Sequence, residues 1–407
     1  MPPPPPIHFA VISDPHALAG DEYRHETTAL RQTADDPTRN PFAAVRALIK
    51  DGESEEEPLR ADALLCPGDM AHRMSEPGLK YAWEELESIA ELLGASQIVA
   101  TAGNHDVIRK EDLPNDPPAG AWVKPLRDLD PPFPTHRVDD REPYFNDDFV
   151  IAKGDGWRVV ALNSCAFYTE KNEHHRGKVD PATVDHLRRR IEGDPHDVNV
   201  LMCHHHLVEW THLSMQDTSH MHGGDNLLRT LEEVDPGGWM VLHGHRHTPA
   251  LGYAGDSMSP AARMSAGSLG ISLPQEGRTD KRNQFYMLEF DRREIAELDL
   301  AGAGRFQAWD WNREEGMTRS SPAAAIPGSG GFGFRCDART LARHCRESAT
   351  ALGRRTVTME ELIEENGRWR YVAPRDLFML RTVLEGEGAH VDPSNGGTQI
   401  ESVSFRD

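Results

Sequence analysis

The segment Val99–Ile108, VATAGNHDVI, places three polar residues directly after an apolar run. The apolar run is typical of a buried strand, and Gly103 allows a tight turn at its end. Asn104, His105 and Asp106 then stand at the carboxyl end of that strand, which is where α/β proteins bind ligands. The segment predicts a functional strand end, and other strands of the same sheet are expected to end in the same way.

Short apolar runs alternate with amphipathic stretches from the start of the chain to about residue 300. Each run is four to eight residues long and is bounded by Gly, Pro, Asp or Asn, which is typical of strands buried on both faces. The runs occupy 7–13, 61–66, 97–101, 157–163, 198–203 and 239–244. The amphipathic stretches include 81–94, 181–193 and 226–234. This alternation predicts an α/β layered fold.

Charge and cysteine usage limit the possible partners. The chain of 407 residues has 44 basic and 66 acidic residues, a formal net charge of -22, which disfavours nucleic acid and anionic membranes as partners. Its five cysteines are odd in number and form no C-x-x-C pair, which favours a reducing compartment. The amino-terminal stretch lacks the pattern of a signal peptide, and no run of about 18 apolar residues occurs. We therefore expect a cytoplasmic protein without membrane contact, of undetermined oligomeric state.

The composition changes after residue 319. We predict a first domain over 1–319, a linker rich in Pro, Gly, Ser and Ala over 320–334, and a small α+β domain over 335–407. In the last region, helical stretches precede a hairpin-like segment centred on 395–397. This order resembles a winged-helix module, and a helical cap or interaction domain is the alternative. Two long loops, over about 111–148 and 209–225, are candidates to shape a substrate mouth.

Five predicted strands end in residue types that bind metals. These residues are Asp14 and His16, Asp69, Asn104 to Asp106, His204 to His206, and His245 and His247. A lone histidine at a strand end is more often structural, but five such ends converge if the strands are neighbours in one sheet. The coincidence predicts one polynuclear metal site. Mixed imidazole and carboxylate donors suit Mn, Fe, Zn, Co or Ni, with Mn favoured here, and disfavour Ca or Mg.

A pair of such ions predicts phosphate ester chemistry. Two metals about 3.5–4 Å apart need a bridging carboxylate and share a water whose pKa they lower until hydroxide forms at neutral pH. The same pair holds the non-bridging oxygens of a phosphate.

The ordered set D-x-H, G-D, G-N-H-D, a strand-final His and G-H-x-H resembles the calcineurin-like metallophosphoesterase superfamily over about residues 7–290. The resemblance implies a four-layer α-β-β-α sandwich, in which helices flank two mixed sheets. The implied ligands are Asp14, His16 and His247 for one ion, Asn104, His245 and one histidine of 204–206 for the other, and Asp69 between them. In relatives that read H-H-H-P the middle histidine aligns with the ligand, so we predict His205. His204 is the alternative, because Leu207 stands where those relatives have Pro.

The resemblance also assigns roles beside the metals. His105 is expected near the phosphate, where it stabilises the transition state or protonates the leaving oxygen. Asp106 is expected to orient that imidazole from behind. Asn163 and Ser164 either support the site or form a turn, and Arg246 either contacts phosphate or faces solvent. The remaining histidines are expected on the surface or in loops, namely His72, His174, His175, His220 and His222.

Within the family, bacterial cyclic-nucleotide phosphodiesterase-type members give the strongest resemblance. It rests on the HHH strand end, on GDNLLRTLE at 224–232 and on SAGSLG at 265–270. The predicted activity is therefore hydrolysis of small nucleotide phosphodiesters by a metal-bridging hydroxide. The alternatives are a DNA or RNA nuclease working with a partner, a phosphomonoesterase, and a metal-free scaffold that binds proteins. Scaffold members usually lose ligands, whereas here every motif position has a metal-competent residue.

Overall fold

A computed structural model describes residues 4–18, 35–52, 58–108, 112–167, 176–209, 220–254, 260–271, 281–393 and 399–406. His174, His175, His212 and the predicted turn at 395–397 lie outside these ranges. The strands are β1 (Ile7–Val11), β2 (Ala63–Cys66), β3 (Gln97–Ala100), β4 (Phe149–Gly154), β5 (Trp157–Leu162), β6 (Val198–Met202), β7 (Trp239–His243), β8 (Ala250–Ala254), β9 (Ala261–Ser265), β10 (Gln284–Phe290), β11 (Gly304–Asn312), β12 (Gly316–Arg319), β13 (Ser329–Phe332), β14 (Thr356–Thr358), β15 (His390–Pro393) and β16 (Ile400–Ser404).

The helices alternate with these strands in the first two-thirds of the chain and dominate the last part. They are α1 (Pro41–Gly52), α2 (Glu76–Leu93), α3 (Lys124–Arg127), α4 (Val138–Asn146), α5 (Pro181–Ile191), α6 (Gly224–Val234), α7 (Arg292–Glu297), α8 (Ala338–Ala351), α9 (Met359–Glu365) and α10 (Pro374–Gly386). Short 3-10 helices lie at Ala121–Val123 and Gly367–Tyr371.

Two mixed sheets form the body of the molecule. The first has the order β12-β11-β10-β1-β2-β3, with β13 also paired to β11, and the second has the order β4-β5-β6-β7-β9-β8. Strands β1, β2 and β3 run parallel to one another, as do β5, β6, β7 and β9. The residues of the predicted site therefore follow strands of two different sheets. The sequence pattern predicted neighbouring strands of a single sheet instead.

The sheets pack face to face, with helices on the outside of each. Along β5, Trp157, Val159 and Ala161 pack in the core between the sheets, together with residues of β1 and β2. Val160 and Leu162 point the other way, into a second core that includes residues of α5 and α6. This alternation follows from the two-residue period of a strand. Helices α1 and α2 contribute to the first core from the opposite side, so the predicted four-layer sandwich is confirmed.

Helix α2 fixes the direction of the two strands that it joins. Ser75 caps its first turn by accepting a hydrogen bond from the Gly78 amide, and Gly94 ends it with a left-handed φ of 67°. A helical crossover of this length returns the chain parallel to β2. Asp69 after β2 and Asn104 after β3 consequently emerge at the same edge of the sheet.

The last part of the chain forms a small α+β unit. Its strands make an antiparallel sheet in the order β14-β16-β15, and its core includes Leu341, Val357, Leu380 and Val403. Its elements follow the order helix, strand, two helices, two strands; the winged-helix interpretation and its alternative remain predictions. The domain division remains a prediction; β13, inside the predicted linker, is a strand of the first sheet.

Candidate metal centre

The polar residues that follow the strands of both sheets meet at one edge of the sandwich. Four of them form a first cluster, Asp14, His16, Asp69 and His247, whose ligand atoms all lie within 4.8 Å of one another. The Nε2 atoms of His16 and His247 are 3.0 Å apart, and Nε2 of His247 is 3.2 Å from an oxygen of Asp14. His16 Nε2 is also 3.6 Å from Oδ2 of Asp69.

A second cluster adjoins the first through the same carboxylate. Nε2 of His204 lies 3.3 Å from Oδ2 of Asp69 and 3.1 Å from Oδ1 of Asn104. Nδ1 of His245 lies 3.0 Å from that amide oxygen and 3.3 Å from His204 Nε2. Asp69 therefore stands between the two clusters.

The donor set fits two divalent transition metals. Ligands held about 2.0–2.2 Å from a metal ion lie roughly 3–4 Å from one another. The separations of 3.0 to 4.0 Å in the first cluster and 3.0 to 3.3 Å in the second match this arrangement. Only nitrogen and oxygen atoms contribute, which suits Mn, Fe, Co, Ni or Zn better than a thiolate-selecting metal.

The geometry distinguishes the neighbouring histidines after β6. Nδ1 of His204 lies 2.9 Å from the carbonyl oxygen of Pro67, so it donates there and leaves an Nε2 lone pair towards Asp69 and Asn104. Nδ1 of His205 instead lies 2.9 Å from Oγ of Ser164. His205 does group with His204 and His245 within 4.8 Å. The distances from His204 Nε2 to Asp69 and Asn104 nevertheless favour His204, the alternative in the sequence assignment, over the predicted His205.

His105 lies beside the first cluster. Its ring centroid is 4.8 Å from that of His16, and its amide donates to an oxygen of Asp69 at 2.7 Å. The amide of Arg73 donates to Nδ1 of the His105 ring at 3.1 Å, which places the ring proton on Nε2 of the neutral imidazole. The group that sets the tautomer is thus a backbone amide, which sequence patterns do not reveal.

Asp106 ties two loops of the site together. Its carboxylate accepts hydrogen bonds from the backbone amides of Ala71 at 2.8 Å and Gly103 at 2.9 Å. These bonds position the backbone on either side of His105, whereas the sequence assignment gave Asp106 the task of orienting the imidazole itself. Asp106 therefore orients the His105 ring only through the backbone that it holds in place.

Several residues near the centre differ from expectation or were missed. His72 was expected on the surface or in a loop; it lies in the loop between β2 and α2 but is buried there, with its ring centroid 5.6 Å from that of His16 and 5.5 Å from that of His105. Ser13 donates to the Asp14 carboxylate, and Ser268 Oγ donates to the Asp14 carbonyl oxygen at 2.6 Å. The sequence pattern gave no signal for either serine: Ser13 merely precedes Asp14, and Ser268 lies 254 positions from it.

The backbone at the centre is strained. Five candidate ligands have φ between 50° and 73°, in the left-handed region that residues with a Cβ rarely adopt, namely Asp14, His16, Asp69, His245 and His247. Such conformations cost roughly 1–3 kcal/mol each and cluster at functional sites. The concentration of strain at these positions supports a binding role for them.

Burial and mutual proximity shift the protonation of the centre. Burial opposes a charge on His204, but the adjacent Asp69 overrides it and raises the pKa of His204 to about 9. Burial works against ionisation of Asp69 as well, yet His204 and His105 hold the pKa of that carboxyl well below its usual range. Burial, with the Asp69 charge, raises the pKa of Asp106 to about 7. A proton on His204 therefore occupies a position that a cation would take, and the two compete.

A family model of calcineurin-like phosphoesterases matches residues 7–249, which is more than half of the chain and spans every residue of the two clusters. The chain belongs to the calcineurin-like phosphoesterase family. This membership agrees with the two-sheet sandwich and with the shared carboxylate between two nitrogen and oxygen clusters. No curated protein matches the chain.

Solved structures of this fold resemble the phosphoesterase only distantly. A purple acid phosphatase from yellow lupin seeds aligns at 11% identity with a TM-score of 0.47, over 81% of this chain and 54% of its own. The structure of PhoD aligns at 11% identity with a TM-score of 0.48, over 81% of this chain and 70% of its own. A metallophosphoesterase from Sphaerobacter thermophilus aligns at 14% identity with a TM-score of 0.28, over 69% and 83%. The chain thus spans about half the length of the lupin enzyme. Among the described residues, no helix has the length and apolar character to cross a membrane.

Proposed function

We propose that this phosphoesterase uses two divalent transition metals to hydrolyse phosphodiesters of nucleotide or cyclic-nucleotide type. The observation that carries the proposal is the Asp69 carboxylate, which lies within 3.6 Å of His16 on one side and 3.3 Å of His204 on the other. A carboxylate in that position can bridge two cations. Two cations in turn match the paired oxygens of a phosphate ester.

Seven side chains would hold the metals in this proposal. Asp14, His16 and His247 belong to one ion, Asn104, His204 and His245 to the other, and Asp69 to both. When bound, the metals stabilise the charge on the phosphoryl oxygens and lower the pKa of water so that it attacks phosphorus at neutral pH. We expect manganese to support the activity, on the strength of the donor chemistry alone.

His105 completes the proposed machinery. Because the Arg73 amide donates to its Nδ1, its Nε2 carries a proton that can be donated to the leaving oxygen or to the phosphate. Asp106 and the loop at 71–75 hold this imidazole in place through backbone hydrogen bonds, including one of 2.8 Å from the Met74 amide to the His105 carbonyl oxygen. The role of Asp106 is therefore to position His105.

The preference for small diesters rests on charge and on sequence resemblance. The net charge of -22 opposes the long-range attraction that a nuclease uses, so the DNA or RNA nuclease with a partner ranks second. A phosphomonoesterase would need the same metals, and a scaffold would not need the strained ligands. We also infer a cytoplasmic, reducing location, because all five cysteines are free thiols.

The experiment compares hydrolysis by the manganese-loaded chain and by its Asp69→Asn variant. The panel contains p-nitrophenyl phosphate, bis-p-nitrophenyl phosphate, cyclic nucleotides, and single- and double-stranded DNA. We expect cleavage of the diester and the cyclic nucleotides, and its loss in the variant. Cleavage of DNA alone would favour the nuclease, and cleavage of the monoester alone the phosphomonoesterase. Full activity of the variant would refute the proposed centre.

A further inference from the structure

His72 forms a further group of imidazoles with two histidines of the proposed centre. One ring nitrogen each of His16, His72 and His105 lies within 4.8 Å of the other two. His16 is a proposed metal ligand and His105 is the proposed proton donor, whereas the ordered motifs of the sequence give His72 no role. A third imidazole at this distance is close enough to contact the same ligand as the other two.

Backbone hydrogen bonds fix His72 beside the first cluster. The Ala17 amide donates to the carbonyl oxygen of Met70 at 2.8 Å, and the His72 amide donates to the carbonyl oxygen of Ala17 at 2.9 Å. The segment after β2 thus pairs with the segment after β1, which carries His16. On the other side, the Ser75 amide donates to the carbonyl oxygen of His72 at 3.1 Å. The backbone is therefore held both before and after His72.

The loop turns back onto His105 directly after His72. The amides of Arg73 and Met74 donate to the ring and to the carbonyl oxygen of His105, at 3.1 and 2.8 Å. Both residues have left-handed φ values, 45° for Arg73 and 65° for Met74. Residues with a Cβ rarely adopt this conformation, and its occurrences cluster at functional sites. The strained turn keeps His72 and His105 side by side.

The His72 ring contacts the centre from a buried position. The residue is 9% exposed, and its ring plane makes angles of 67° with that of His16 and 35° with that of His105. Both neighbouring rings are polar groups of the proposed centre. The ring of His72 is therefore placed to contact a molecule that the centre binds.

The separation of His72 and His105 suits a shared oxygen atom. A neutral imidazole has one N–H group and a protonated imidazole has two, so each ring has a donor in every protonation state. Two ring nitrogens within 4.8 Å of each other can both donate to one oxygen that lies about 2.9 Å from each. Hydrogen bonds to a charged oxygen, such as that of a phosphoryl group, are stronger than those between neutral groups. An oxygen of a phosphate ester therefore fits the pair.

A metal ion is the other ligand that three imidazoles can hold. Such an ion would require a lone pair of His105 in place of the proton that the proposed mechanism uses. It would also require His16 to bind a second ion beside the first. The observations therefore favour an oxygen acceptor next to His72.

We propose that His72 donates a hydrogen bond to the phosphoryl group of the bound substrate, next to His105. This inference rests on the proposed function, because it needs a phosphate ester at the metal centre. The N–H group of His72 would stabilise negative charge on a phosphoryl oxygen, which adds to the contribution of the metals and of His105. His72 is thus a substrate-contacting residue of this phosphoesterase.

Two substitutions of His72 separate a hydrogen-bond donor from a ring that only packs. His72→Gln keeps an N–H donor and removes the ring, whereas His72→Phe keeps a ring and removes the donor. With bis-p-nitrophenyl phosphate, we expect kcat/KM to fall about 10- to 100-fold in His72→Phe and to stay within about fivefold of the wild type in His72→Gln. The manganese content should equal that of the wild type in both. His390→Phe is the matched control, because His390 is an exposed histidine of the C-terminal unit; it should change kcat/KM by less than about twofold.

Binding of orthophosphate to the manganese-loaded chain is a second readout, and it does not require turnover. Calorimetric titration should give a dissociation constant at least about tenfold higher in His72→Phe and within about threefold of the wild type in His72→Gln. A wild type that binds orthophosphate in this pattern but cleaves no ester would refute the proposed hydrolysis and support the contact from His72. A wild type that neither cleaves an ester nor binds orthophosphate would overturn both.

Other results with an active wild type would overturn the role of His72 alone. Activity that is kept in His72→Phe and lost in His72→Gln would show that the ring only packs. An equal loss in both variants, or no loss in either, would likewise exclude the hydrogen bond. Loss of a third manganese ion in both variants would identify His72 as a metal ligand instead. Equal unfolding temperatures verify that all variants are folded.

Discussion

Gly103 and Gly244 show how closely the ligand carboxylates are packed. A Cβ added at Gly103 would lie 2.1 Å from Oδ1 of Asp69, and one added at Gly244 would lie 2.2 Å from Oδ2 of Asp14. Both glycines precede polar residues of the centre, in G-N-H-D and in G-H-x-H. Both positions require glycine because a neighbouring carboxylate occupies the space that a side chain would fill.

Residue types at the centre could be predicted from the sequence, but the choice between adjacent histidines could not. The predicted ligands Asp14, His16, Asp69, His245 and His247 all lie in the two clusters. In contrast, the hydrogen bond from His204 to Pro67 joins residues 137 positions apart, and no local pattern reports it. The same holds for the amide of Arg73 that sets the tautomer of His105.

The structure predicts different consequences for the two histidines. His204→Ala should lower the affinity for one metal ion by about 100-fold or more, because it removes a ligand, while His205→Ala should lower it by less than about tenfold. Isothermal titration with Mn²⁺ measures both, and each variant serves as the control for the other. A larger loss in His205→Ala would restore the original sequence assignment.

His105→Ala separates proton donation from metal binding. The variant should retain both metal ions, because His105 is not among the seven proposed ligands and its amide bond to Asp69 is kept in the alanine variant. Its kcat for bis-p-nitrophenyl phosphate should fall by about 10²- to 10⁴-fold, as expected for the loss of a general acid. Steady-state kinetics and metal analysis on the same sample check this. Unchanged kcat would remove His105 from the mechanism.

Among the helices and strands, those with a strong periodic pattern were predicted correctly from the sequence. The six apolar runs coincide with β1, β2, β3, β5, β6 and β7, and the three amphipathic stretches with α2, α5 and α6. Strands β8 and β9 have no such signal, since ALGYA and AARMS contain few β-branched residues. Their pairing is decided by the neighbouring strand β7 and by α10, which packs on β8.

Asp376 in the first turn of α10 gives this packing a pH dependence. Burial raises the pKa of Asp376 to about 6, and Arg375 counteracts only part of the effect. Because the folded-state pKa exceeds the ordinary value, the folded protein favours the neutral carboxyl of Asp376. The stability associated with the neutral carboxyl is fully present below about pH 4 and is lost as the pH rises through 6. Asp376→Asn should therefore unfold less readily than the wild type at pH 7.5, by about 1–2 kcal/mol.

Urea unfolding of both proteins between pH 4 and 7.5 measures the effect of Asp376. The difference in the free energy of unfolding should grow with pH and vanish near pH 4. A difference that is the same at every pH would show that the asparagine acts through something other than the charge.

At the scale of the whole molecule, the sequence predicted the four layers but not how the C-terminal unit is attached. Arg335, just beyond the predicted linker, donates to the carbonyl oxygens of Pro260, Ala301, Gly333 and Gly237 at 2.7 to 3.0 Å. Its guanidinium also lies 5.0 Å from the centre of the Tyr253 ring. Contacts of this kind join segments up to 98 residues apart, so the composition that predicts a linker over 320–334 does not reveal them.

Arg335→Lys tests whether this attachment contributes to stability. A lysine cannot reach four carbonyl oxygens in the geometry of a guanidinium, so buried acceptors lose their partners. We expect the free energy of unfolding to fall by about 2–3 kcal/mol, with the exposed Arg339→Lys as the control that changes it by less than about 0.5 kcal/mol. Equal stability of the two variants in urea would contradict the assignment of Arg335 as an anchor.

The proposed mechanism requires Asp69 to lie between two metal ions. The most direct test is an anomalous difference map from crystals of the full chain grown with Mn²⁺. We expect two peaks about 3.5–4 Å apart, one on each side of the Asp69 carboxylate, with His204 rather than His205 beside the second. A single peak, or none at this carboxylate, would contradict it.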